Sequence, residues 1–261
     1  MTFFSLKAMS LGAWSPSKAS MLDECALKFH WSYVDKLKLS EEDVHKTDDT
    51  ALTLGSAAHK YAELLSNGMT REEAEKASEE GVVLTTANKT KLKSMRRGVD
   101  NLQERVEKLK SQGFTWDKSE LRVSVDKSLS PVDFFSYSSA LRGVVDRAVM
   151  MERDGKKHII AIDIKTGRPG DVSSYSLQLE SYGVLLHSTY PEIVSVQPCL
   201  FFTDDNSLVW HSRKIFKRDV TTDNPVFKEI NRLADAYTPS PAPNKGTHCN
   251  WCQYKKVCSK G

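Results

Sequence analysis

Gly143-Val144-Val145-Asp146-Arg147 and, downstream, Ile162-Asp163-Ile164-Lys165-Thr166-Gly167 set two carboxylates and a lysine in adjacent apolar segments. Such a set can hold a divalent metal against a phosphodiester and balance the charge that develops when the ester is cut. If the two segments are neighbouring strands, the carboxylates converge at one end of a sheet. Oxygen donors of this kind select Mg²⁺ or Mn²⁺ over zinc. Lys165 lies two residues beyond Asp163, so on a strand both side chains share a face. Taken alone, an Asp-x-Lys triplet is more often an exposed strand-end ion pair, and Asp146-Arg147 reads as another. The surrounding elements decide between the two.

Outward from this stretch, Leu121, Val123 and Val125 alternate with polar residues, 141–151 is rich in valine, and 158–164 is a β-branched run. These predict three consecutive strands, the last two joined by a hairpin at Asp154-Gly155. A helix over 174–187 follows, then strands over 193–202 and 207–215, and an amphipathic helix over 225–237. Upstream, the first element opens at Ser15, which caps a helix whose first turn holds Pro16. The helix continues through Leu22, Cys25, Phe29 and Tyr33. A polar loop spans 40–50. The helix over 54–65 then places Gly55, His59 and Glu63 four residues apart on one face. A capping box at Thr70 and Glu73 opens another helical region, and a helix over 89–110 ends at Gln112-Gly113. The order predicts an α/β core with helical decoration. Thr238-Pro239-Ser240-Pro241-Ala242-Pro243 is an extended connector, because proline lacks the amide that helix or inner strand needs. The expected organisation is one domain over 1–261: a mainly helical part at 15–112, the α/β core at 113–237, and a connector with a cysteine-bearing tail at 238–261.

With 261 residues, 39% hydrophobic and 27% charged, the chain can bury a full core, and disorder is not expected. Its net charge of +3 permits a nucleic-acid partner without demanding one. The segment Met1-Thr2-Phe3-Phe4-Ser5-Leu6 lacks a basic flank and makes a poor signal peptide, and no apolar run approaches membrane-spanning length. A soluble, cytoplasmic protein is expected. The chain has no Gly-x-x-x-x-Gly-Lys-Ser/Thr phosphate loop, so any unwinding must come from a partner.

Taken together, these segments resemble the RecB-like branch of the PD-(D/E)XK nuclease superfamily. Gly143 to Arg147 is similar to its Gly-x-x-Asp-Arg strand and Ile162 to Gly167 to its Asp-x-Lys-Thr-Gly strand. Gln178-Leu179-Glu180-Ser181-Tyr182 resembles its Gln-x-x-x-Tyr helix, and Gly55-Ser56-Ala57-Ala58-His59 its Gly-x-x-x-His helix. The resemblance implies a restriction-endonuclease-like core, a mixed central sheet flanked by helices. It implies that His59, Asp146 and Asp163 ligate Mg²⁺ or Mn²⁺ with the backbone carbonyl of Ile164. It also makes Lys165 the catalytic lysine and sets Gln178 and Tyr182 along the DNA phosphate. Glu63 is a supporting or surface residue, and Glu120 a further candidate without an assigned role.

Cys25 and, at the far end, Cys249-Asn250-Trp251-Cys252 with Cys258 match the spacing of the iron–sulfur version of this family, found in AddB-type subunits and CRISPR-associated spacer-processing nucleases. Four thiolates can hold a [4Fe-4S] cluster that staples the tail to the N-terminal helix. By spacing alone, a four-cysteine zinc site stands beside it, and His248 is a substitute ligand less favoured than Cys258. The odd cysteine count disfavours disulfides, and Cys199, in an apolar strand, reads as a small buried hydrophobe. The expected activity is a metal-dependent deoxyribonuclease, an exonuclease on single-stranded DNA or ends that leaves 5′-phosphates. A helicase, a recombinase or a CRISPR adaptation protein is the expected partner. A flap endonuclease and a non-catalytic, zinc-containing DNA-end-binding module are the alternatives.

Overall fold

The computed structural model describes residues 2–45, 50–82, 84–112 and 114–258, without the side chain of Thr115. Apolar alternation beyond residue 113 builds strands β1 (Phe114–Val125), β2 (Leu141–Arg153), β3 (Lys156–Lys165), β4 (Ile193–Phe202), β5 (Ser207–Trp210) and β6 (Ile215–Phe216). They form one mixed sheet in the order β1-β2-β3-β4-β5, with β6 also on β4. Among the paired strands of the described residues, β3 and β4 run parallel and the other pairs are antiparallel. The β2–β3 hairpin turns at Asp154 and Gly155, with φ of 51° and 68°, the two positive values that a tight primed turn requires.

Helices cover both faces. They are α1 (Leu6–Ser10), α2 (Pro16–Glu24), α3 (Ala26–Phe29), α4 (Thr50–Ser66), α5 (Arg71–Glu79), α6 (Thr86–Lys110), α7 (Ser176–Thr189), α8 (Pro225–Ala236) and α9 (Lys255–Cys258). On one face, α1, α2, α7 and α8 bury Ala8, Leu22, Leu185 and Phe227 with Val145, Ala148 and Leu200. On the other, α6 sets Leu102 and Val106 against Val149, Ile162, Ile164 and Phe201, and α4 lies on α6 through Leu54, Ala57, Leu92 and Met95. The sheet is thus a mixed central layer flanked by helices.

Several expectations are met at the level of single bonds. Ser15 accepts from the Lys18 amide with Pro16 in the first turn. Thr70 and Glu73 make the reciprocal capping box. The connector over 238–243 forms no regular element. Four expectations are corrected. The first element is α1, capped by Ser5, and not the helix at Pro16. The helix expected to run from Pro16 through Tyr33 breaks at Cys25, which is extended at φ −159° and ψ 108°. Beyond it come α3 and a turn of π-helix over His30–Val34. The central helices begin earlier than expected, at Thr50 and at Thr86, the latter capped by Thr85. The single strand expected over 207–215 is two. Pro198 of β4 sends its carbonyl to the His211 amide at 3.0 Å but has no amide of its own to return on that side, so the edge breaks opposite it. Gln197 Nε2 donates to the His211 carbonyl at 3.1 Å across the gap. Gly113, the expected helix stop, and residues 46–49 of the expected loop lie outside the described residues.

The tail packs on the N-terminal segment. Asn244 Nδ2 donates to the Glu24 carbonyl at 2.9 Å, the Ser32 and Tyr254 hydroxyls are 3.2 Å apart, and the rings of Trp31 and Tyr254 are 5.4 Å apart. Among the described residues, no helix is long and apolar enough to cross a membrane.

Candidate metal and active site

Two local irregularities make the site. Strand alternation would put Val145 and Val149 on the same face, yet Val145 packs beneath α7 and Val149 against α6. The switch falls at Asp146-Arg147 and, on β1, opposite them at Glu120, a non-glycine residue at φ 47°. A left-handed carboxylate residue inside a strand is costly, and such strain gathers at functional sites. The second irregularity is a fork. Pairing of β2 with β3 ends at Arg147 opposite Ile162, while β3 stays paired with β4 to Lys165. Into the gap Asp146 sends its carboxylate, and its Oδ2 accepts from the Ile164 amide at 2.6 Å.

Around the fork the sequence-derived residues divide into two groups. Asp163 is 2% exposed and faces α7. Its Oδ1 accepts from Tyr182 Oη at 2.7 Å and from Gln178 Nε2 at 2.6 Å, and Lys165 Nζ pairs with Oδ2 at 2.8 Å. Gln178 Nε2 is also 2.9 Å from Tyr182 Oη. Lys165 Nζ donates to Gln178 Oε1 at 3.3 Å and sits 4.3 Å from the centre of the Tyr175 ring, a neighbour that sequence reasoning missed. The second group gathers on α4, where His59 Nδ1 lies 3.6 Å from Asp146 Oδ2. Gly55 permits this approach: a Cβ there would stand 3.1 Å from Thr166 Oγ1, at the end of the Asp163 to Gly167 segment. His59, Glu120 and Asp146 each offer one ligand atom within 4.8 Å of the others. Glu63 turns to Lys60, at 2.8 Å, and not to His59. Arg147 is not an exposed strand-end ion-pair residue. It is buried, bonded through two nitrogens to Asp117 at 3.0 and 2.7 Å and to Gln103 Oε1 at 2.7 Å.

The electrostatics describe a site short of positive charge. Burial and the nearby Asp146 push the Asp163 carboxyl up against the opposing pull of Lys165 and Tyr182. Burial and Asp146 likewise raise Glu120. Burial pulls His59 down, but Asp146, Asp163 and Glu120 outweigh it, and its pKa is raised. Burial and Asp163 drive the Tyr182 hydroxyl well above its ordinary range, so it stays a donor. Glu120 and Asp146 beside the His59 imidazole fit a divalent cation, which would relieve their repulsion, while Asp163 stands outside that group and acts on it only electrostatically.

The cysteines line a separate cleft of about 490 Å³ that includes Cys25, Cys249, Cys252 and Cys258 together with Lys28, Lys245, His248 and Lys255. Burial raises the Cys252 thiol, and Cys25 and Cys249 add to the effect. Among the described residues, no three of the sulfurs come within 4.8 Å of one another, wider than the edge of about 3.8 Å that a closed tetrahedral zinc site with bonds of about 2.3 Å requires. Cys199 is fully buried, its thiol pushed far up by burial and then by Asp163.

Among solved structures, a candidate exonuclease from Eubacterium rectale is 12% identical over 95% of this chain and 90% of its own, with a TM-score of 0.48. The structure of SSO0001 is 15% identical over 92% of this chain and 95% of its own, with a TM-score of 0.35. None of the curated proteins compared matches the chain. The sequence profile of the PD-(D/E)XK nuclease superfamily matches residues 13–259, nearly the whole length. With that match the chain belongs to the PD-(D/E)XK nuclease superfamily.

Proposed function

We propose that the chain is a divalent-metal-dependent deoxyribonuclease of the RecB-like iron–sulfur branch, an exonuclease on single-stranded DNA or DNA ends that leaves 5′-phosphates. The observation that carries this reading is the fork: Asp163 and Lys165, 2.8 Å apart, stand within electrostatic reach of Asp146 and His59 where β2 leaves β3. His59, Asp146 and Asp163 are the metal ligands in this proposal, with the Ile164 carbonyl as a further oxygen. An amide and carbonyl of one strand residue point to the same side. The Ile164 carbonyl is therefore directed toward the gap into which its N–H donates. Mg²⁺ or Mn²⁺ bound there would polarise the phosphoryl oxygen and lower the pKa of the attacking water.

Lys165 balances the charge growing on the phosphate or orients the water. Tyr182 and Gln178 fix Asp163 by holding Oδ1, which leaves Oδ2 turned toward Lys165. Tyr182, 1% exposed with its hydroxyl on Asp163, positions that carboxylate and does not itself line the DNA phosphate; half-buried Gln178 keeps that role in the proposal. At the other end, Cys25, Cys249, Cys252 and Cys258 hold a [4Fe-4S] cluster, and the lysines around their cleft complement its negative charge. Unwinding falls to a helicase, a recombinase or a CRISPR adaptation protein. Single-stranded and duplex DNA labelled at either end, incubated with Mg²⁺, Mn²⁺ or chelator, tests the reading. Progressive shortening from one end in metal alone supports it; no cleavage of any substrate overturns it.

A further inference from the structure

The face of β1 and β2 that carries the metal-site carboxylates continues away from the fork as a cationic and aromatic track. Arg142, Val144 and Asp146 alternate onto one face of β2, and Val144 joins His59, Glu120 and Asp146 in lining the same cleft. Arg122 of β1 is paired with Val144 and therefore shares that face. From Asp146 to Arg142 the strand advances roughly 13 Å.

At the far end, the β1–β2 loop brings aromatic rings onto the arginines. The Arg122 guanidinium is 5.8 Å from the Phe134 ring, and that of Arg142 is 5.4 Å from Phe134 and 5.9 Å from Phe135. Arg142 also donates to the Phe134 carbonyl at 3.3 Å, so the loop is held by the residue whose charge it displays. Phe134 meets Phe135 edge to face at 5.1 Å and 88°. Phe135 is 73% exposed and outside both core clusters of the sheet, whereas Tyr137, also exposed, lines a different cleft with Met9, Gly12 and Trp14. In the loop and its strand ends, Arg122, Lys127 and Arg142 outnumber Asp126 and Asp133. The Asp126 carboxylate is occupied by the Ser128 and Ser130 amides at 2.8 and 2.9 Å.

Large aromatic side chains left in water cost free energy unless a ligand covers them. Two arginines stacked against the Phe134 and Phe135 rings, on the strand face that leads through Val144 to the His59 and Asp146 cleft, suit one ligand. We propose that the β1–β2 ribbon and its loop bind single-stranded DNA, with a base stacked on Phe135 and phosphates paired with Arg122 and Arg142, and lead the strand to the fork. A duplex does not fit this track, because its bases are stacked on one another and offer no open faces to the rings. The proposal rests on the nuclease reading for the identity of the fork, but its test does not depend on cleavage.

The test is fluorescence anisotropy with a labelled oligothymidylate and with a blunt duplex of equal length, in chelator so that nothing is cut. Phe135→Ala should weaken oligothymidylate binding about tenfold, the scale for losing one base–aromatic stack, and leave duplex binding unchanged. Phe135→Trp should retain the binding that Phe135→Leu loses, separating stacking from simple apolar contact. Oligothymidylate binding by Phe135→Ala within twofold of wild type, equal binding by the Leu and Trp variants, or no binding by wild type would overturn the proposal. If wild type cleaves DNA with metal while these variants bind normally, the track fails and the nuclease reading stands. If wild type cleaves nothing but the variants lose binding, the reverse holds.

Discussion

Arg147 lies next to the candidate ligand Asp146, yet its geometry assigns it to stability. Replacing it with methionine keeps the aliphatic bulk and removes the guanidinium that binds Asp117 at 3.0 and 2.7 Å. Asp117 is nearly buried and, among the described residues, would keep Lys110 Nζ, at 3.0 Å. Stranding one member of a buried pair costs about 3–5 kcal/mol. Lys110 stays beside the carboxylate, so Arg147→Met should fall at the low end, about 3 kcal/mol. Adding Asp117→Leu removes the stranded charge and should recover most of that loss, since a buried pair and an apolar replacement of similar volume are nearly equivalent. Urea unfolding followed by tryptophan fluorescence at neutral pH measures both variants. Burial raises the Asp117 carboxyl, but Arg147 and Lys110 outweigh it and hold it below 3.8. A depressed carboxylate contributes stability above its unfolded pKa and loses it as pH falls through the lower folded value. The gap between wild type and Arg147→Met should therefore narrow below about pH 4. An Arg147→Met protein within about 1 kcal/mol of wild type that has lost DNA cleavage would refute the reasoning and place Arg147 on the substrate.

Three further outcomes are expected. Gly98→Ala should destabilise the protein by roughly 2 kcal/mol in urea unfolding, because its Cβ would stand 2.3 Å from the Thr203 carbonyl oxygen, a backbone clash that outweighs the helix propensity gained; equal or greater stability would contradict this. Lys18 Nζ donates to the Leu11 and Ala13 carbonyls at 2.6 and 3.0 Å among the rings of Trp14, Phe29 and Tyr33, and burial, then Arg142, lowers its pKa to about 8. The unfolded lysine keeps its proton up to about 10.5, so wild type should gain stability relative to Lys18→Met between pH 8 and 10.5, and a flat difference across that window would contradict the assignment. Anaerobically purified protein should be brown with about four irons per chain, Cys25→Ala colourless and protease-sensitive, and Cys199→Ser still brown; stoichiometric zinc without iron would replace the cluster.

The strands and helices were legible where a periodic apolar pattern met a turn or cap with its own chemistry, as at Asp154-Gly155, Ser15 and the Thr70 and Glu73 capping box. The shared face of Asp163 and Lys165 followed from strand alternation. What stayed hidden depended on a break in that periodicity. Nothing in the residues around Glu120 announces a left-handed carboxylate, and the face switch at Asp146-Arg147 arises only when two strands pair. The break at Cys25 was masked by helical spacing on either side of it. The divided edge strand was readable in principle, since Pro198 lies in a strand, but its effect falls on the partner and not on its own segment. Arg147 looked exposed because its partners, Asp117 and Gln103, lie thirty and forty-four residues away in sequence.

The most direct test of the central claim is cleavage of end-labelled single-stranded DNA in Mg²⁺ or Mn²⁺ by wild type, Asp163→Ala and Lys165→Ala, each first shown to be folded by its urea transition. The account predicts metal-dependent shortening by wild type and none by either variant, because both side chains serve charge on the reacting phosphate. Folded Asp163→Ala or Lys165→Ala protein that cuts like wild type, with contaminating nuclease excluded, would contradict it.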